Sequence, residues 1–128
     1  MTFPQGFKEK YTQLLGEEAK AFFQTFDEPA VSAYRTNPLK AEQIRGDEPI
    51  PGMPWSYYGK VSGKSIAHVT GLVYSQEPAA QMVVQVAHPS PGMKVLDLAA
   101  APGGKTTHLL SYLGNQGLLI SNEIHKGR

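Results

Sequence analysis

The pattern of apolar and polar positions divides the chain into a helical beginning and a longer stretch in which strands and helices alternate. Apolar side chains recur at helical spacing over residues 6–27, and Gly16 interrupts them, so the pattern predicts two short packed helices. Alternation over residues 30–35 predicts a strand, and residues 39–45 are typical of a short helix. Residues 46–64 are rich in proline and glycine, which indicates a linker-like loop.

The second half alternates strand and helix patterns more regularly. Residues 70–74 favour a strand and residues 77–86 a helix, and a proline-rich turn follows at residues 88–92. The apolar run at residues 95–98 is short and bounded, as a buried parallel strand should be. A helix is predicted from Gly104 to just before Gly114, and a last strand over residues 117–123. We therefore predict an α/β fold with a domain boundary near residue 90.

The stretch from Val95 to Thr107 carries the strongest chemical pattern. A strand ending in Asp97 is followed by a loop of alanines, one proline and two glycines, and then by a helix. Such small side chains let another molecule approach the backbone closely. The helix N-terminus directs unpaired N–H groups and partial positive charge at the loop. Strand, small loop and helix together form the nucleotide-binding corner of doubly wound α/β folds.

Three kinds of ligand are candidates for this corner. A P-loop for ATP or GTP matches at Gly104-Lys105-Thr106, but Ala99 stands where its first glycine is required. The glycine spacing of a dinucleotide-binding turn is absent. S-adenosylmethionine fits an acid at the strand end followed by alternating small residues. Glu123, 20 residues after Gly103, ends the next strand and is placed to accept hydrogen bonds from ribose hydroxyls. That acid alone does not separate a dinucleotide from adenosylmethionine.

Composition and charge limit the kinds of partner that the protein is expected to bind. The 128 residues carry a net charge of +1, and neither half is strongly basic, so any RNA binding must depend on a local patch. Arg35, Asn37 and Lys40 are candidates for such a patch, or else a turn with solvated charges. Trp55 and its neighbouring tyrosines and lysines are suited either to stacking bases or to anchoring their loop to the core. No apolar run is long enough to span a membrane, and the absence of cysteine and of spaced histidines argues against a metal site. We expect a cytoplasmic protein.

The sequence Asp-Leu-Ala-Ala-Ala-Pro-Gly-Gly-Lys-Thr-Thr at residues 97–107 resembles motif I of the NOL1/NOP2/Sun family of RNA cytosine-C5 methyltransferases. The resemblance extends forward through residues 117–128 and backward through residues 71–80 and 34–40. The opening residues resemble the bacterial branch typified by small-subunit rRNA methyltransferase F. One departure is Ala99, where members often carry cysteine.

The resemblance implies a fold, a cofactor and an RNA partner. Residues 1–90 would form a small α/β RNA-recognition region, and residues 91–128 the first strand–helix–strand unit of a Rossmann-like class I methyltransferase. The cofactor would be S-adenosylmethionine and the substrate rRNA, with the small subunit favoured. The implied cofactor-binding residues are Ala99, Ala100, Ala101, Pro102, Gly103, Gly104, Lys105 and Glu123, and the implied RNA-binding residues are Arg35, Asn37 and Lys40.

The missing cysteine bears on mechanism. Methylation of cytosine C5 requires a thiolate to attack C6, and members of the family use one cysteine for attack and a second for product release. These 128 residues contain none. We therefore expect the front part of a longer protein, inactive alone, which would associate with other copies through exposed strand edges. The alternatives are a non-catalytic RNA-binding module of the same fold and a nucleotide hydrolase.

Overall fold

A computed structural model describes residues 3–40, 42, 44–125 and 127, and the chain forms two compact units, residues 1–30 and residues 31–128. In the first unit, helices α1 (Phe7–Leu15) and α2 (Ala19–Gln24) are each followed by a short 3-10 turn. Their aromatic side chains pack on one another, with Phe3 stacked on Phe7 at 5.1 Å and Tyr11 on Phe22 at 5.2 Å. This packing confirms the predicted pair of packed helices, whose aromatic side chains are half-buried.

The second unit begins with a three-stranded antiparallel sheet. Strand β1 (Ala33–Thr36) lies between β2 (Ser56–Tyr58) and β3 (Val73–Ser75). Strand β2 was not predicted, because the prolines and glycines around it hid a three-residue strand whose partner lies some twenty residues earlier. The short helix α3 (Ile66–Val69), capped by the Ser65 hydroxyl, was also missed.

The predicted helix over residues 39–45 does not form in the described part of that stretch. Pro38 and Leu39 make a turn and residue 42 lies in a bend, while Ala41 and Gln43 lie outside the described residues. The Asn37 side chain accepts a hydrogen bond from the Leu39 backbone N–H at 3.0 Å. This local bond favours the turn over a helix start.

Two helices and two parallel strands complete the second unit. Helix α4 (Pro78–Ala87) packs against α5 (Gly104–Leu113), and β4 (Lys94–Asp97) pairs in parallel with β5 (Leu118–Ser121). Gly103, with φ of 100°, precedes α5, and Gly114, with φ of 57°, ends it, which confirms the predicted helix bounds. At Gly117 (φ 103°) a Cβ atom would collide with the Met93 carbonyl oxygen, so only glycine fits this return to β5. None of the helices in the described part of the chain has the length and apolarity to cross a bilayer.

His108 lies in the interior of the second unit. It is 1% exposed, and neither ring nitrogen has a hydrogen-bond partner among the described residues. Its ring lies 5.5 Å from that of Tyr112. Burial, reinforced by the positive charge of Arg35, lowers the pKa of His108 from 6.5 to about 3. The imidazole is therefore neutral in the folded protein at every pH near neutrality.

We expect the chain to lose stability in mild acid because of His108. The unfolded imidazole takes up a proton below about pH 6.5, whereas the folded one does so only near pH 3, so stability is full above pH 6.5 and falls as pH drops toward 3. Between pH 7.5 and 5 the loss attributable to His108 is about 2 kcal/mol. Urea unfolding of the wild type and of His108→Gln at both pH values measures it. The variant should show a smaller loss, and equal losses in both proteins would contradict the assignment.

Candidate functional site

The loop between β4 and α5 is held in shape from the strand side by Asp97. This residue ends β4 and is 8% exposed. Its carboxylate accepts hydrogen bonds from the Ala99 backbone N–H at 3.2 Å and from the Thr106 hydroxyl at 2.6 Å. Charge-assisted bonds of this kind are the stronger ones in proteins. Asp97 therefore ties the start of the loop to the first turn of the helix.

The loop also satisfies most of its own backbone donors. Ala100 N–H donates to the Asn122 carbonyl at 3.0 Å, Ala101 N–H to the Glu123 carboxylate at 3.2 Å, and Gly103 N–H to the Ala100 carbonyl at 2.7 Å. A P-loop presents several such N–H groups to phosphate. Here they are already used, which argues against a nucleotide hydrolase.

The backbone N–H groups that could bind a ligand follow the loop directly, at the start of α5. The N–H groups of Gly104, Lys105 and Thr106 lie in the first helical turn, where no carbonyl of the helix reaches them. Together with the helix dipole they favour an anionic group. Thr106 was not among the predicted site residues. The sequence could have identified Thr106, because the predicted helix start at Gly104 places it in the first turn, where backbone N–H groups lack helical partners.

Of these three donors, Thr106 lies in the same groove as Glu123. The volume of this groove is about 350 Å³, and it is lined by Ala100, Ala101, Pro102, Gly103, Thr106, Ser121 and Glu123. The half-buried Glu123 carboxylate also accepts from His125 N–H at 2.9 Å, so the backbone fixes its orientation. Of the predicted cofactor residues, all but Ala99, Gly104 and Lys105 line this groove. Ala99 and Lys105 line a second groove, beside Leu109, and Gly104 is buried against Gln76.

Arg35 occupies a different position from the one predicted. We expected a solvent-facing phosphate ligand, but the side chain is 3% exposed and lies between the first sheet and α5. Its guanidinium donates to Gln76 Oε1 at 2.8 Å, to the Gly104 carbonyl at 2.9 Å and to the Thr107 hydroxyl at 2.9 Å. Contact with an RNA phosphate would require breaking these bonds. The alternating pattern of β1 correctly places Arg35 on the same face as Ala33, and that face is the buried one.

The other two predicted RNA-binding residues differ from Arg35 and from each other. Asn37 is half-buried, and its side-chain amide donates to the Gly71 carbonyl at 2.9 Å, so it shapes the turn after β1. Lys40 is exposed.

Trp55 is half-buried and lies edge-on against Tyr112 of α5, with ring centroids 5.3 Å apart. Of the two interpretations of its loop, this contact favours an anchor to the core.

Two family models match the chain and together cover most of it. The model described as the N-terminal domain of 16S rRNA methyltransferase RsmF matches residues 3–78. The model described as 16S rRNA methyltransferase RsmB/F matches residues 84–128. The first match includes all of the antiparallel sheet, and the second includes the loop, α5 and Glu123.

Two curated proteins and one solved structure that are similar to this chain are also described as methyltransferases or a methyltransferase homologue. Ribosomal RNA small subunit methyltransferase F of Psychromonas ingrahamii is 34% identical over 98% of this chain and 31% of its own length. The tRNA (cytosine(49)-C(5))-methyltransferase of Pyrococcus abyssi is 31% identical over 94% of this chain and 42% of its own length. A methyltransferase homologue from Pyrococcus horikoshii is 26% identical, with a TM-score of 0.74 over 98% of this chain and 46% of that one. The chain thus spans between about a third and a half of these proteins.

Proposed function

The chain belongs to the NOL1/NOP2/Sun family of RNA methyltransferases, in the group of the RsmF and RsmB/F 16S rRNA enzymes, and from this premise we propose that it contributes the cofactor loop for transfer of a methyl group from S-adenosylmethionine to C5 of a cytosine in rRNA. The proposed substrate is small-subunit rRNA, which the name of the Psychromonas ingrahamii relative specifies, and the proposed location is the cytoplasm. The thiolate that the reaction requires would come from residues outside these 128, since they contain no cysteine.

The observation that carries the proposal is the shared groove of the α5 N-terminus and Glu123. The cofactor supplies an electrophilic methyl group when it is bound. Thr106 lines the groove with Glu123, and its N–H group would hold the cofactor's carboxylate, with those of Gly104 and Lys105 beside it in the first turn. No described residue accepts from these N–H groups, and they lie at the positive end of the helix. Glu123 would accept hydrogen bonds from the two ribose hydroxyls. Asp97 keeps the two ends of the loop together through Ala99 and Thr106.

The RNA side of the proposal depends on fewer residues. Lys40 is exposed and follows the turn after β1, so its ammonium is available to an RNA phosphate. Asn37 would act by shaping that turn through its bonds to Gly71 and Leu39. We therefore propose that the RNA-binding patch begins at Lys40, and that Arg35 instead bonds groups inside the protein.

We expect Glu123→Gln to weaken adenosylmethionine binding by the full-length protein. A neutral amide accepts less strongly than a carboxylate and accepts from fewer donors at once, so the loss should be roughly 10- to 100-fold in affinity. Isothermal titration calorimetry measures the Kd directly. Methyl transfer from labelled cofactor to small-subunit rRNA, mapped to single cytosines, tests the reaction in the same preparations.

Glu77→Gln is the matched control, because Glu77 is an exposed acid in the same unit at the start of α4. It should leave the Kd unchanged. RNA binding by a full-length protein that shows no affinity for adenosylmethionine would refute the proposal in favour of a non-catalytic RNA-binding module. Equal Kd values for wild type and Glu123→Gln would remove Glu123 from the cofactor site.

A further inference from the structure

Three side chains on one face of the antiparallel sheet contact the turn that begins α5. Arg35 on β1 and Tyr74 on β3 are directly paired in the register of the sheet, and Gln76 follows two residues after Tyr74. The Tyr74 hydroxyl donates to the Pro102 carbonyl at 3.0 Å. A Cβ atom on Gly104 would lie 3.0 Å from Gln76 Nε2, so Gln76 touches the helix start closely.

Arg35 connects these contacts. Its guanidinium bonds Gln76, the Gly104 carbonyl and the Thr107 hydroxyl, and lies 5.5 Å above the Tyr74 ring. The Thr107 hydroxyl in turn donates to the Gly103 carbonyl at 2.9 Å. We call Arg35, Tyr74 and Gln76 the sheet clamp. The clamp lies within the residues matched by the first family model, whereas the turn it holds lies within those matched by the second.

Stability alone gives a poor account of this placement. A buried cation loses its hydration, and burial lowers the pKa of Arg35 from 12.5 to about 10, so the group remains charged at neutral pH. A positive charge beside a helix N-terminus also opposes the helix dipole. Both costs would be smaller if an anionic group lay at the same helix end, because that group would interact favourably with the cation and the dipole.

We propose that the sheet clamp positions the first turn of α5 for the cofactor, so that the affinity for S-adenosylmethionine depends on side chains of the RNA-recognition sheet. This inference rests on the proposed function. Arg35, Tyr74 and Gln76 are positioning residues, since they act through Pro102, Gly104 and Thr107. Asp97, Asn122 and Glu123 hold the loop from the side of β4 and β5, and the clamp restrains it on the side of the first sheet.

Tyr74→Phe and Arg35→Lys test the clamp in the full-length protein. The first removes only the hydroxyl that bonds Pro102, and the second keeps the charge but loses the planar fork that reaches three acceptors at once. We expect Kd for adenosylmethionine to rise about fivefold in Tyr74→Phe and about tenfold or more in Arg35→Lys. KM for adenosylmethionine should rise in parallel, with kcat at saturating cofactor little changed.

Tyr34→Phe is the matched control. Tyr34 neighbours Arg35 on β1 but points to the other face of the sheet, where it stacks on Tyr57 at 5.7 Å. This variant loses the same hydroxyl group without touching α5. Its Kd should equal that of the wild type.

Amide hydrogen exchange without cofactor provides a readout that does not depend on the proposed function. The Gly103 and Thr107 N–H groups are hydrogen-bonded in the turn, and they should exchange faster in both clamp variants and not in Tyr34→Phe. Unchanged exchange at these amides would overturn the clamp. Faster exchange with an unchanged Kd would overturn the positioning role. A wild-type protein that binds no adenosylmethionine would refute the proposed function, whereas the exchange data would still decide whether the clamp holds the turn.

Discussion

No 5-methylcytosine should form when rRNA is incubated with these 128 residues and adenosylmethionine. The reaction requires a thiolate that adds to cytosine C6, and the sequence contains no cysteine. A serine or threonine hydroxyl is a poor replacement, because its pKa leaves almost no anion at neutral pH. The expected effect is complete loss of product rather than a reduced rate. Bisulfite sequencing of the incubated rRNA measures it at each cytosine.

The positive control for this experiment is the ribosomal RNA small subunit methyltransferase F of Psychromonas ingrahamii, assayed on the same RNA. It should form the modified base if the family chemistry applies. Formation of 5-methylcytosine by the 128 residues alone would contradict the requirement for a thiolate. A different methylated base would place the protein in another reaction class.

Self-association of the 128-residue chain is the second large effect that we expect. The small parallel sheet of β4 and β5 exposes Leu96, Leu98, Leu118 and Ile120, each about half exposed or more. Among the described residues β4 pairs only with β5, so one edge of each strand has no neighbouring strand. Unpaired edges beside exposed apolar side chains favour pairing with another chain. Light scattering after size exclusion should therefore show oligomers whose proportion rises with protein concentration.

Leu96→Lys and Ile120→Lys should shift the population toward monomer, because a charge at a strand surface opposes pairing. Val86→Lys is the matched control, since Val86 is also exposed, at 76%, but lies on α4. A strictly monomeric wild type would show that the exposed strands do not cause self-association. An equal effect of all three lysines would point to net charge rather than to the sheet.

Much of the fold could be predicted from local patterns. Helix α5 begins and ends where its glycines indicate, because Gly103 and Gly114 adopt the left-handed conformations that a helix start and stop require. The β4–loop–α5 corner and the acid at Glu123 follow from spacing along less than thirty residues. Strand β2 could not be predicted in the same way, since three residues in a proline-rich loop become a strand only when β1 is beside them.

The candidate site was predicted in part, for a related reason. The sequence identified the loop, but it did not indicate that several of its N–H groups donate to acceptors within the protein, namely those of Ala99, Ala100, Ala101 and Gly103. For Ala100 and Ala101 that result depends on Asn122 and Glu123, which reach the loop because β5 pairs with β4. The donors that remain are those of the first helical turn.

What the sequence by itself determined is the family, the α/β corner and the absence of a thiol, because each depends on residue identity and short-range spacing. Only the tertiary structure decided the role of Arg35. An arginine in a strand carries the same local pattern whether its face meets solvent or a helix. Here the face meets α5, about seventy residues further along the chain, and the guanidinium bonds Gly104 and Thr107 there. Contacts over that separation depend on how the chain packs as a whole, and no local pattern encodes them.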